Sequence, residues 1–142
     1  MISKRVGEVF SKKFASVHEN DLLSSCLDIF EKERPAALAV LDNKGKYKGV
    51  LALRSIIRSG LDPSTTKVET LMRTAPKLTP QDSVSKAARL MIESEIRQLP
   101  VFDGEKLVGF LADEELIHAA VMDEWGETMI TRMMTEKPYV VE

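Results

Sequence analysis

Two stretches of this chain, Val17 to Leu53 and Leu78 to Asp113, run through the same order of apolar, turn and acidic positions about sixty residues apart. A self-similar unit of that size cannot bury its apolar faces alone, so the copies are expected to pack on one another and leave related clefts along their seam. In the first copy Asn20-Asp21 precedes Leu22, Leu23, Cys26, Leu27 and Phe30, an apolar set at helical spacing behind a polar cap. In the second, Asp82 caps a segment whose inner face is Val84, Ala87, Ala88, Met91 and Ile92. A short apolar run follows each helix, Ala37 to Leu41 and Leu99 to Phe102, and each ends in an aspartate followed by turn residues.

Beyond the turns stand Tyr47 to Ala52 and Leu107 to Ala112, each a second strand with a glycine, Gly49 or Gly109, at the same place. Glycine inside a strand marks a bulge or a close backbone approach. A second helix follows, with Ile56-Ile57 matching Leu116-Ile117, so helix, strand, strand, helix is completed twice and the fold class is α/β with short sheets covered by helices. A lead-in, Val68 to Leu78, precedes the second copy; Val6 to Phe10 is a degraded version before the first, and Ile130 to Val140 repeats the layout at equal spacing. The expected organisation is a first repeat over 1–61, a second over 62–124, and a start of a third over 125–142. On this reading the chain is a piece of a longer protein; the alternative is a C-terminal arm that packs on the pair.

Composition narrows the function. With 142 residues, 44% hydrophobic, the chain can bury a core of one domain or two small lobes. Twenty basic and 22 acidic residues are interspersed, so no large positive field favours duplex nucleic acid. Cys26 is the single cysteine, which excludes an intrachain disulfide and fits a reducing cytoplasm. No apolar run approaches the roughly 18 residues of a membrane helix, and a cytosolic location is expected. Catalytic patterns are absent from the sequence: it has no phosphate loop, no dinucleotide fingerprint, no nucleophile elbow and no paired metal-ligand spacing. Cys26 and most of the methionines fall on apolar positions, where packing is their expected role.

The lead-in Val68-Glu69-Thr70-Leu71-Met72 with Leu78-Thr79-Pro80, the stretch Ile96 to Asp103, and Leu107-Val108-Gly109-Phe110-Leu111 resemble a cystathionine β-synthase (CBS) domain. The first copy, through Ala37 to Asp42 and Gly49 to Leu53, is similar and more diverged. The resemblance implies a tandem pair, or Bateman module: two CBS-type repeats related by pseudo-two-fold symmetry, regulatory rather than catalytic. It also implies inter-repeat clefts for adenosine-containing ligands such as AMP, ADP, ATP or S-adenosylmethionine, and assembly of two pairs into a disc-like homodimer. The strands would supply apolar walls, here Leu38, Leu99 and Pro100, and the N-terminus of each second helix would favour an anion.

The same resemblance singles out ligand positions. Nucleotide-binding members often carry a hydroxyl residue after the second strand and, three residues on, an aspartate for the ribose. Here those positions read Ala112 and Glu115 in the second repeat, and Ala52 and Ser55 in the first. Glu115 can accept from a ribose diol; against this, Asp113, Glu114 and Glu115 also suit a helix N-terminus through its dipole alone. Arg97 and Gln98 stand where the family places polar groups facing the cleft, and Ala36 and Ala37 are their counterparts. Thr74-Ala75-Pro76-Lys77-Leu78 resembles the segment lining the base, with Lys77 a phosphate candidate and Arg54 and Arg58 weaker ones. The acidic trio suits a sulfonium-bearing ligand at least as well as a triphosphate. Competing readings are a ligand-free structural dimerisation module, supported by Ala52, Ser55 and Ala112, and a nucleic-acid-binding regulator, which the balanced charge does not favour. An attached or associated protein is the expected target of regulation.

Overall fold

The computed structural model describes residues 4–122, and the expected third repeat start at 125–142 lies outside them. Each copy forms its helix and hairpin in the expected order. In the first, β1 (Ser16–His18), α1 (Leu23–Glu33), β2 (Leu38–Leu41), β3 (Tyr47–Leu51) and α2 (Leu53–Ser59) follow one another. In the second, α3 (Val84–Ser94), β4 (Gln98–Asp103), β5 (Lys106–Ala112) and α4 (Asp113–Met122) do so. The first sheet has the order β1-β2-β3, with β1 parallel to β2 and β3 antiparallel to it. The second contains β4 and β5, and a single parallel bridge from Leu78 to Val101 takes the place of a third strand. Both hairpins slip register at matching positions, between Val40 and Leu41 and between Val101 and Phe102. That coincidence marks a bulge built into the repeat.

The lead-ins exchange between the repeats. Val6 and Gly7 donate their amides to the carbonyls of Asp82 and Pro80, while Ser11 and Phe110 exchange a pair of backbone bonds at 2.9 Å. Reciprocally, Val68 and Glu69 donate to Asp21 and Glu19, and Arg73 and Val50 exchange a pair at 2.8 and 2.9 Å. The glycines mark these crossings. A Cβ on Gly49 would stand 2.6 Å from the Arg73 carbonyl oxygen, and one on Gly109 would run into Phe10 and the Ser11 carbonyl. The close approach suggested by their position in the sequence is the passage of the other repeat's lead-in.

Packing follows the period-2 alternation of the strands. Leu38 and Val40 join Leu23, Cys26, Phe30, Leu51, Ile56 and Val68 in one core. Ala37 and Ala39 face the other way and join Leu78, Ala87, Met91, Leu99, Val101, Phe110 and Leu111 in a second core that spans the seam. Across the seam Tyr47 of the first sheet meets Phe102 of the second edge-on at 5.5 Å. Burial pushes the Cys26 thiol up to about 11, which leaves it an inert core group.

Three local expectations are corrected. Asp82 does not cap α3; Ser83 does, its Oγ accepting from the Lys86 amide. Asp82 instead closes the preceding turn by accepting from the Thr79 amide. Asp21 likewise accepts from the His18 amide, and α1 begins behind Leu22 with no side-chain cap. Ile92, expected inside, is 77% exposed. The face carrying Val84, Ala87 and Met91 is the buried one, and a residue one step past Met91 is rotated about 100° away from it.

Candidate cleft pair at the repeat seam

Each cleft is composite. The larger, about 1040 Å³, takes Ala37, Val50, Ala52, Arg54, Ser55 and Arg58 from the first repeat, Arg73 from the crossing lead-in, and Met91, Ile92, Glu95, Ile96 and Arg97 from the second. The smaller, about 430 Å³, is its pseudo-symmetric counterpart: Gln98, Phe110, Ala112, Glu114 and Glu115 from the second repeat, Ser11, Lys13, Phe14 and Ala15 from the other lead-in, and Glu33 to Ala36 from the first. Arg34, Pro35, Ala36 and Glu114 line both. The two clefts are neighbours across a shared wall.

That wall depends on backbone geometry. Arg34 and Glu95, at equivalent positions, end α1 and α3 in the left-handed region at φ 51 and 58°. Such a turn directs the chain abruptly from helix to strand; Arg34 lines both clefts and Glu95 the larger one. Non-glycine residues there carry a conformational cost.

The polar groups singled out by sequence have definite partners. Arg97 Nε donates to Asp113 Oδ2 at 2.6 Å, linking the approach to β4 with the start of α4. Gln98 is buried, and its Nε2 donates to the Ala37 carbonyl at 3.1 Å, a side-chain bond across the seam from the start of β4 to the residue before β2. Glu115 Oε1 accepts from the Ala112 amide at 2.8 Å, half of a capping box on α4. Burial raises the Glu115 carboxyl above its ordinary value, with the nearby Glu114 charge adding to the rise and the Ala112 amide opposing it. In the first repeat Ser55 holds the equivalent place, and α2 has neither a side-chain cap nor an acidic first turn.

Thr74 to Leu78 line neither cleft. Ala75 and Leu78 belong to the seam core, and the Lys77 ammonium stands 4.6 Å from the Phe102 ring centroid. Leu38, Leu99 and Pro100 are buried in strands behind the walls. Sequence reasoning missed Arg34, Arg73, Glu95 and Phe14. Pairing each lead-in with its own repeat hid Phe14 and Arg73: Phe14, 4.9 Å from Phe110, faces the second repeat, and Arg73 the first. Charge then divides the clefts. Arg34, Arg54, Arg58, Arg73 and Arg97 face Glu95, Asp113 and Glu114 in the larger, whereas Lys13 and Arg34 face Glu33, Glu114 and Glu115 in the smaller.

Two reciprocally exchanged repeats with a composite cleft pair are matched by a family model. Residues 6–62 and 68–121 both match that of the CBS domain. The chain belongs to the CBS domain family. It is 25% identical to the CBS domain-containing protein YhcV of Bacillus subtilis over 132 residues, 90% of this chain and 94% of that protein. It is 28% identical over 117 residues to the magnesium transporter MgtE of Thermus thermophilus, covering 78% of this chain and 26% of the transporter. The CBS pair thus spans about a quarter of that relative's length and nearly all of YhcV. Among solved structures, CBSX2 in complex with AMP superposes with a TM-score of 0.71 at 24% identity, over 84% of this chain and 97% of that one. The matched model is not that of a catalytic family, and among the described residues no group of acidic, histidine or cysteine side chains is arranged to hold a metal ion. Among them, too, no helix is long and apolar enough to cross a membrane.

Proposed function

We propose that this CBS pair is a regulatory module that binds an adenosine-containing ligand at the repeat seam and biases an attached or associated protein. The observation that carries this reading is the paired cleft itself: apolar walls from Val50, Met91 and Ile92 on one side, Phe14 and Phe110 on the other, each beside charged groups of the kind that bind a phosphate or a ribose. The AMP held by a protein of the same fold supports it. Such a ligand regulates only through unequal affinity for two arrangements of the module.

Thermal unfolding with adenosine, AMP, ADP, ATP and S-adenosylmethionine tests the reading. A ligand that binds only the folded chain stabilises it by about 2.7 kcal/mol at a hundred times its dissociation constant. A Tm unmoved by all five compounds leaves the structural dimerisation reading standing instead. S-adenosylmethionine is the ligand suited to the smaller cleft, where the carboxylates outnumber the cations, and tighter binding of ATP there removes that preference. The homodimer belongs to the same proposal. Ile57 on α2 and Ile117 on α4 occupy equivalent positions and are 69 and 60% exposed, which leaves each helix an apolar side chain for a second copy.

A further inference from the structure

Five of the seven arginines among the described residues line the larger cleft. They converge from separate elements: Arg34 from the end of α1, Arg54 and Arg58 from one face of α2, Arg73 from the crossing lead-in, and Arg97 from the approach to β4. Two are engaged, Arg97 by Asp113 and Arg73 by the Ser94 carbonyl at 2.8 Å. Among the described residues no ion pair holds Arg34, Arg54 or Arg58. Like charges gathered in a concave site repel, and a bound anion relieves that repulsion. The forked donors of guanidinium suit phosphate oxygens in particular.

We infer that the larger cleft selects its ligand by phosphate number, holding a chain of two or more phosphates on Arg34, Arg54 and Arg58, while the smaller, acidic cleft excludes such a chain. The inference rests on the adenosine-ligand reading for the identity of the base, and on the guanidinium cluster alone for the phosphates. Ile92, exposed beside the arginines, provides the apolar surface against which the rest of such a ligand lies. Because Arg34 belongs to both walls, an anion that draws it into the larger cleft leaves Glu33 and Glu115 less compensated in the smaller. Filling one cleft with phosphate therefore strengthens the cation preference of the other.

Calorimetric titration of the full chain with AMP, ATP and inorganic tripolyphosphate, at fixed ionic strength and with magnesium chelated, provides the test. ATP is expected to bind about tenfold or more tightly than AMP, since its added phosphates make further charge-assisted bonds. Tripolyphosphate is expected to displace ATP. The exposed double substitution Arg54→Gln/Arg58→Gln, and separately Arg34→Gln, should abolish the preference, whereas Arg89→Gln on the outer face of α3 should keep it. Equal affinities for AMP and ATP, failure of tripolyphosphate to compete, or a preference that survives in the folded variants overturns the inference. Adenosine failing to compete with ATP while tripolyphosphate succeeds sinks the adenosine reading and leaves phosphate selection intact.

Discussion

Single residues decide where the two repeats can touch. Gly49 is required by space rather than by conformation, because the Arg73 carbonyl occupies the place of its side chain. Gly49→Ala should therefore force the lead-in outward and cost about 1–3 kcal/mol, measurable by urea unfolding. An unchanged midpoint would show that the crossing yields freely. Asp42 works at the same scale in the first hairpin, where its carboxylate accepts from the Lys44 and Lys46 amides at 2.8 and 2.9 Å. The Lys46 amide is the main cause holding this carboxyl below its ordinary value, with the Lys44 amide and nearby lysine charges assisting against the opposing desolvation. A lowered folded pKa gives stability that is present above the unfolded value near 3.8 and is lost as pH falls through the folded one. Asp42→Asn should thus lower Tm at neutral pH and converge on the parent at about pH 2, below the carboxylate range. A constant gap across that range would assign the hairpin's stability to something other than this charge. Tyr47 is a residue with a cost: burial pushes its hydroxyl up to about 12, and the oxygen has no hydrogen bond of ordinary geometry although the Ala75 backbone lies close by.

At the scale of elements, helix starts distinguish the two halves. The chain carries two kinds of cap on the second repeat and none on the matching helices of the first: Ser83 on α3 and Glu115 on α4, against Leu22 and Ala52. Ser83→Ala is expected to cost about 1 kcal/mol by equilibrium unfolding. Glu115→Gln keeps an acceptor for the Ala112 amide and should be near neutral at pH 7, whereas Glu115→Ala should lose the cap. The sign of the pH effect follows from burial. A raised folded pKa means that the folded chain holds the Glu115 proton more readily, so this group's contribution becomes less favourable as pH rises through that value. Destabilisation by Glu115→Gln equal to that by Glu115→Ala would remove the capping role. The helices and hairpins were legible in the sequence because periodicity and turn residues are local signals. The caps were not: Asp82 and Ser83 are both good cap residues side by side, and only the direction of the preceding turn decides which one takes the helix amide.

At the scale of the molecule, the seam is held by apolar packing and by the backbone bonds of the crossing lead-ins, with a buried side-chain bond added. Gln98 makes that bond, and Gln98→Ala should cost about 1–3 kcal/mol while leaving the Ala37 carbonyl without this donor. Loss of two-state unfolding in that variant would show that the repeats come apart as units, whereas an unchanged unfolding midpoint would mean the bond contributes nothing net. The proposed homodimer is tested by sedimentation: Ile57→Glu/Ile117→Glu should yield monomers if the apolar faces of α2 and α4 join two copies. The amino-acid sequence by itself determined the doubled helix-hairpin-helix plan, the family, and the inequality of the two copies at Ala36, Ala37 and Ser55 against Arg97, Gln98 and Glu115. Those are matters of order and local spacing along the chain. Only the tertiary structure decided that each lead-in crosses to the other repeat, that Arg97 turns to Asp113 and Gln98 to Ala37, and that Arg34 joins Arg54, Arg58 and Arg73 in one cleft. Residues so far apart in sequence meet because two small sheets must cover each other's apolar faces, and a chain gives no local sign of which distant surface will do the covering.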